Sequence, residues 1–208
     1  MNRHKLREAE GLFLSQYPDG FASAELAQIG KRHNVSKMVE FAQTRLTKKH
    51  FNNTSAVLDD IVKTISRSSM VSMFEKPKFR DHVNGMNRDD RARLATGFRR
   101  LLHGNQERGF NEVLELLLDA KLAKWSLMTI CSLYFRPETE VFVKPTTTKN
   151  VIRQFDIAEL EYKPRPSWAF YSAYRDLIND MKTQVAPSLS PNNAAFTGFL
   201  MMTTAVDK

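Results

Sequence analysis

Apolar residues recur at helical spacing through the first two thirds of the chain. Leu6, Ala9 and Phe13 form one stripe, and Val35, Met38, Val39, Ala42 and Leu46 form a second. Val57, Leu58, Ile61, Val62 and Ile65 form a third, preceded by Asn53, Thr54 and Ser55, whose short side chains suit the open amides of a helix start. Asn87 opens a helix bearing Leu94, Phe98, Leu101 and Leu102, closed by His103-Gly104-Asn105. Phe110, Val113, Leu114, Leu117 and Leu118 mark the next helix, and after Lys121–Lys124 an apolar helix runs to Phe135. No segment repeats at a fixed period, which excludes a solenoid.

The pattern changes at Pro137. Only Pro18 and Pro77 precede this position, whereas Pro145, Pro164, Pro166, Pro187 and Pro191 follow it. Glu140-Val141-Phe142-Val143 is rich in β-branched and aromatic residues, so it predicts a strand, and Ala158–Tyr162 predicts a weaker second. A short helix is expected over Thr146–Phe155. Another follows the cap candidate Ser167 and carries Phe170, Tyr174, Leu177, Ile178 and Met181. Ser190-Pro191 predicts the start of a last helix, Asn192–Thr204, apolar nearly all round through Ala194, Ala195, Phe196, Phe199, Leu200, Met201 and Met202. Such a helix needs cover on most of its faces. The expected fold is mainly α: a multi-helix globular domain with a small two-stranded element after residue 137. A basic all-helical region, 1–136, and a neutral α+β region, 137–208, should pack as one compact unit.

Composition adds an ordinary globular balance, 42% hydrophobic and 26% charged. This excludes a disordered chain, collagen and a disulfide-stapled miniprotein. The single Cys131 lies among Leu127, Met128, Ile130 and Leu133, where a buried, inert thiol is expected; one cysteine makes neither an internal disulfide nor a zinc cage. The start of the chain is charged with no apolar run behind it, and no stretch reaches the ~18 apolar residues that span a bilayer. A cytoplasmic location and no membrane partner are therefore expected.

Charge changes the picture by position. Residues 1–105 hold 19 Lys and Arg against 11 Asp and Glu, which is the whole formal +8, while residues 106–208 hold 12 of each. Within the basic half, Ile29-Gly30-Lys31-Arg32-His33-Asn34-Val35-Ser36 resembles the turn of a helix-turn-helix: small Gly30, Asn34 tolerant of left-handed φ, apolar Val35 and the cap Ser36. Lys37 would then reach a base edge or phosphate, with Arg45, Lys48 and Lys49 toward the backbone. His33 falls where an apolar residue belongs, and two packed antiparallel helices are the simpler alternative. Among the arginines of residues 88–100, Arg93 has Asp89 and Asp90 at ion-pair spacing, whereas Arg99 and Arg100 have no acid four residues before them and are the better candidates for an external anion.

A second anion site is expected at Lys144-Pro145-Thr146-Thr147-Thr148-Lys149 with Arg165, where hydroxyls and cations meet the positive end of a helix. The site residues named there are Lys144, Thr146, Thr147, Lys149 and Arg165. Trp168 and Tyr171 would stack a ring or fill the core. Gly104-x4-Gly109 is followed by Phe110-Asn111, which excludes a Walker A loop, and the chain has no His-Glu-x-x-His or Gly-x-Ser-x-Gly. No catalytic set, cofactor motif or metal-ligand spacing stands out. The expected function is a non-enzymatic, nucleic-acid-associated protein gripping phosphates through its basic half. A module meeting an acidic protein partner, and an enzyme or ligand-binding protein with its anion site at Lys144–Lys149, remain open alternatives. A deep pocket at Lys144–Lys149 with Arg165 and Trp168 would favour the last.

Overall fold

Helices begin where the sequence places short polar side chains. In the computed structural model, which describes residues 1–204, Asn2 accepts the Lys5 amide and opens α1 (Arg3–Gln16). Ser23 opens α2 (Ala24–His33), and Asn34, at φ 55°, breaks it from α3 (Val35–Arg45). Asn53 caps α4 (Thr54–Arg67), and α5 (Glu75–Gly85) follows without a side-chain cap. Asn87 caps α6 (Arg88–His103) and Asn105 caps α7 (Gln106–Leu118). Next come α8 (Trp125–Phe135), α9 (Pro145–Gln154) with proline in its first turn, and α10 (Trp168–Thr183), capped by Ser167. The last, α11 (Asn193–Thr204), is capped by Asn192 rather than Ser190: the Ala195 amide donates to its side chain at 2.9 Å. Single 3-10 turns occupy Gly20–Ala22, Lys48–Asn52 and Pro187–Leu189.

The most apolar helix sits at the centre. Trp125 and every residue from Leu127 to Tyr134 are buried, because α3, α4, α6 and α7 pack around α8. One continuous set of buried side chains runs from Leu6 to Leu200 and joins both halves of the chain. Cys131 lies inside it, and burial pushes its thiol up to about 12. Among the described residues, no helix is long and apolar enough to cross a membrane.

The closest helix pair is α6 with α7, which meet backbone to backbone. A Cβ on Gly109 would run into the Leu101 amide nitrogen and stand 2.6 Å from the Gly97 carbonyl oxygen. A Cβ on Gly97 would stand 2.9 Å from Val113 Cγ2. Two glycines facing one another thus set the approach.

The expected two-stranded element does not form; the described residues contain no strand. Residues 140–143 are all buried outside any helix, and side chains bond backbone groups that a second strand would otherwise pair. The Val143 amide donates to Thr129 Oγ1 at 3.2 Å. The Thr139 and Glu140 carbonyls accept from Asn179 and Asn193 side-chain amides at 2.8 and 3.0 Å. The Pro137 carbonyl accepts the Asn193 backbone amide at 2.8 Å. Residues 158–162 are a partly exposed coil. With the backbone groups of 137–143 bonded this way, pairing gains nothing further.

Gly109→Ala should cost about 3 kcal/mol, because backbone rather than a flexible side chain must yield. Gly30→Ala, where nothing lies within 4 Å of the added carbon, should stabilise by up to about 1 kcal/mol. Urea unfolding of the two variants checks the pair, and equal effects would refute the close approach.

Candidate functional site

A large concavity lies between α2 and α11. The buried face of α11 carries Phe196, Phe199, Leu200 and Thr204, at helical spacing. Its other face carries Ala194, Ala195, Thr197, Gly198, Met201 and Met202, and α2 does not close over these. Only Leu26 of α2 is buried; Ile29, a turn further on, is 39% exposed, as is Met201. Between them lies a cleft of about 720 Å³, floored by Phe142 and Met70. That volume falls within the roughly 300–1,000 Å³ of small-molecule sites.

Two anchors hold α2 over the cleft. At its start, Phe21 lies against α11, 3.4 Å from where a Gly198 Cβ would be, and its ring is 5.7 Å from that of Phe13. At its end, His33 Nδ1 and Ser69 Oγ are 2.9 Å apart, and Ser69 also donates to the His33 carbonyl at 3.3 Å. Gly30 faces open space, so it is not the close-approach residue that a helix-turn-helix would need there.

Charge at the cleft has one sign. Its lining includes Lys31, Lys37 and Lys144, and no Asp or Glu among the described residues. None of these lysines pairs with a carboxylate among the described residues. Lys144 Nζ instead rests 3.1 Å from Met201 Sδ. The first turn of α3, Val35 to Lys37, also borders the cleft; Asn34 gives it no side-chain cap, and no acid sits in that turn.

A buried carboxylate positions the cleft floor. Glu140 is 2% exposed and accepts from Gln106 at 2.9 Å and from the Tyr171 hydroxyl at 2.7 Å. Arg175 lies 3.4 Å from the same carboxylate, over the rings of Trp168 and Tyr171. Burial, and then the Glu140 charge, hold the Tyr171 phenol well above its ordinary value, so it stays a donor. Asn193, the first residue of α11, bonds the Glu140 carbonyl. The same segment continues through Phe142 and Lys144 onto the cleft, so one cluster fixes both its floor and one wall.

The expected site residues are sorted differently from the sequence. Ser36 and Lys37 join Lys144 at the cleft. Arg45 is held by buried Asp60 at 3.2 Å. Arg100, read as unpartnered, is paired with Glu112 of α7, which also accepts Arg108 at 3.1 Å. Lys48, Lys49 and Arg99 are exposed and have no carboxylate partner among the described residues. Burial lowers the His103 imidazole, its bond to the Leu46 carbonyl opposes this, and the charges of Arg136, Lys48 and Arg99 lower it further. The second expected cluster separates: Thr146 is exposed, Thr147 is buried, Lys149 lies over the Tyr162 ring at 5.9 Å, and Arg165 is exposed. None of these four lines the cleft. Trp168 and Tyr171 pack on Phe110 rather than offering a stacking face.

The cleft residues Ile29, Met70, Gly198 and Met201 were not identified from sequence as site residues; the one signal was an α11 apolar on more faces than a single packing contact covers. Among the described residues no three His, Cys, Asp or Glu side chains come together as a metal site. Compared with family models, curated proteins and solved structures, the chain matches none.

Replacing Glu140 with Ala leaves Arg175, Tyr171 and Gln106 without their acceptor and should cost about 3–5 kcal/mol in urea unfolding. Glu138→Ala, two residues away and exposed, should change stability by less than about 0.5 kcal/mol. A loss below about 1 kcal/mol for Glu140→Ala would contradict the role given to the cluster.

Proposed function

We propose that the protein is a non-enzymatic binding protein whose cleft between α2 and α11 takes a largely apolar small molecule. The observation that carries this reading is the cleft itself: about 720 Å³, walled by Leu26, Ile29, Ala195, Gly198 and Met201. Apolar side chains left unpacked at the face of an otherwise well-packed helix gain free energy when a ligand removes them from water. Methionine walls adapt to irregular shapes.

A second reading rests on the basic end of the molecule. Lys48, Lys49 and Arg99 are exposed and without a carboxylate partner among the described residues, and the charges of Lys48 and Arg99 both disfavour the protonated His103 imidazole. Unpaired cations of this kind support binding of a polyanion, with nucleic acid as the first candidate. Arg45 and Arg100 contribute less to it than the sequence suggests, because Asp60 and Glu112 already hold them.

The cleft reading predicts that Nile red, an uncharged apolar dye, gains fluorescence on the wild-type protein. Ala195→Phe, which fills the cleft, should weaken this at least tenfold while leaving the circular dichroism spectrum and thermal melting unchanged; equal dye binding by both proteins would overturn the reading. For the second, reversing charge at Lys48, Lys49 and Arg99 should abolish binding of a short fluorescent duplex that weakens steeply with salt. Absence of binding at low salt, or binding insensitive to salt, would remove the nucleic-acid reading.

A further inference from the structure

We infer that the occupant of the cleft is a single-chain anionic amphiphile: an unbranched alkyl chain ending in an oxyanion, a carboxylate or a phosphate. The inference rests on the ligand-binding reading above and adds the chemical class of the ligand.

The charge of the lining selects the head group. Elsewhere on the molecule some cations already have a carboxylate: Lys5 has Asp156, Arg45 has Asp60, Arg93 has Asp90 and Arg100 has Glu112. Lys31, Lys37 and Lys144 all line the cleft, and no carboxylate lines it among the described residues. A neutral ligand gives such an arrangement nothing to hold, and a cationic one is repelled by it. The contact of Lys144 with the Met201 thioether is no substitute for a counterion, since sulfur is a weak acceptor. The open first turn of α3, beside Lys37, places backbone amides on the same side. Desolvated beside apolar walls, an ammonium–oxyanion contact is stronger than on the open surface.

The walls select the tail. They include small and flexible side chains, Ala195, Gly198, Met201 and Met202, beside the branched Leu26 and Ile29, with Phe21 and Phe142 the aromatic members. A planar ring is generally clasped between aromatic faces. Small residues and methionines instead form a smooth, adaptable channel that suits a chain of methylenes. The occupant is thus long and thin, with a negative group for the lysines of the lining.

Calorimetry with tetradecanoate, tetradecyl phosphate and tetradecanol, each below its aggregation concentration, tests this on the full chain. Either or both anions should bind at least tenfold more tightly than the alcohol, and the comparison between them tells which oxyanion the site prefers. Affinity for the anions should rise by up to about fourfold per methylene from eight carbons upward until the cleft is full. The double substitution Lys37→Ala with Lys144→Ala should weaken anion binding at least tenfold and leave Nile red binding unchanged, which also shows that the variant is folded. Equal binding of alcohol and anions, with the dye bound, overturns the inference and leaves the ligand-binding reading standing. Anion binding that persists in Ala195→Phe places the anion outside the cleft and overturns the inference too. Failure of the dye and of all three amphiphiles overturns the ligand-binding reading itself.

Discussion

A carboxylate removed from water must be bonded on every side that counts, and Glu140 dictates much of the arrangement around it. Its two oxygens draw in Gln106 from α7 and Tyr171 and Arg175 from α10. Removing any one of these would leave charge or a donor uncompensated in the interior. The segment that carries Glu140 therefore runs extended through the core, and its carbonyls recruit Asn179 and Asn193. Asn193 begins α11, so the position of the last helix follows from a residue more than fifty positions earlier.

That placement gives α11 two different surroundings. Phe196, Phe199 and Leu200 face the core, where Phe199 meets Phe13 edge to face at 5.3 Å. Met201 and the small residues beside it face α2, which is held through Phe21 at one end and His33 at the other, with Leu26 alone fully buried between. A helix fastened at its ends above an apolar surface leaves space beneath it, and the cleft is that space. Its cations come from three different places in the chain: the end of α2, the start of α3 and the end of the extended segment.

Much of the helical framework was legible in the sequence, because caps and apolar stripes act locally. Ser23, Asn53, Asn87 and Ser167 open helices where their residue types suggest, and Asn34 takes the left-handed turn its side chain tolerates. The strand at residues 140–143 was misread for a physical reason. A run of β-branched and aromatic residues reports a buried segment but not what bonds its backbone, and here side chains do so instead of a neighbouring strand. Arg100 seemed unpartnered because spacing within one helix cannot reveal Glu112 on the next. Lys144 and Lys37 were assigned to separate sites because nothing local relates them. The all-apolar α11 was the visible trace of the cleft, yet sequence alone did not distinguish a helix enclosed on every side from one left partly open.

The chain's nine methionines offer a direct test. Methyl-labelled methionine, observed by NMR during titration with tetradecanoate, reports on the cleft and the core together. Met70, Met201 and Met202 line the cleft, whereas Met128 and Met181 are buried elsewhere. The account predicts saturable shifts of the first three methyl signals with Met128 and Met181 unmoved. Shifts confined to the exposed Met73, or no shift at any cleft methionine, would contradict it.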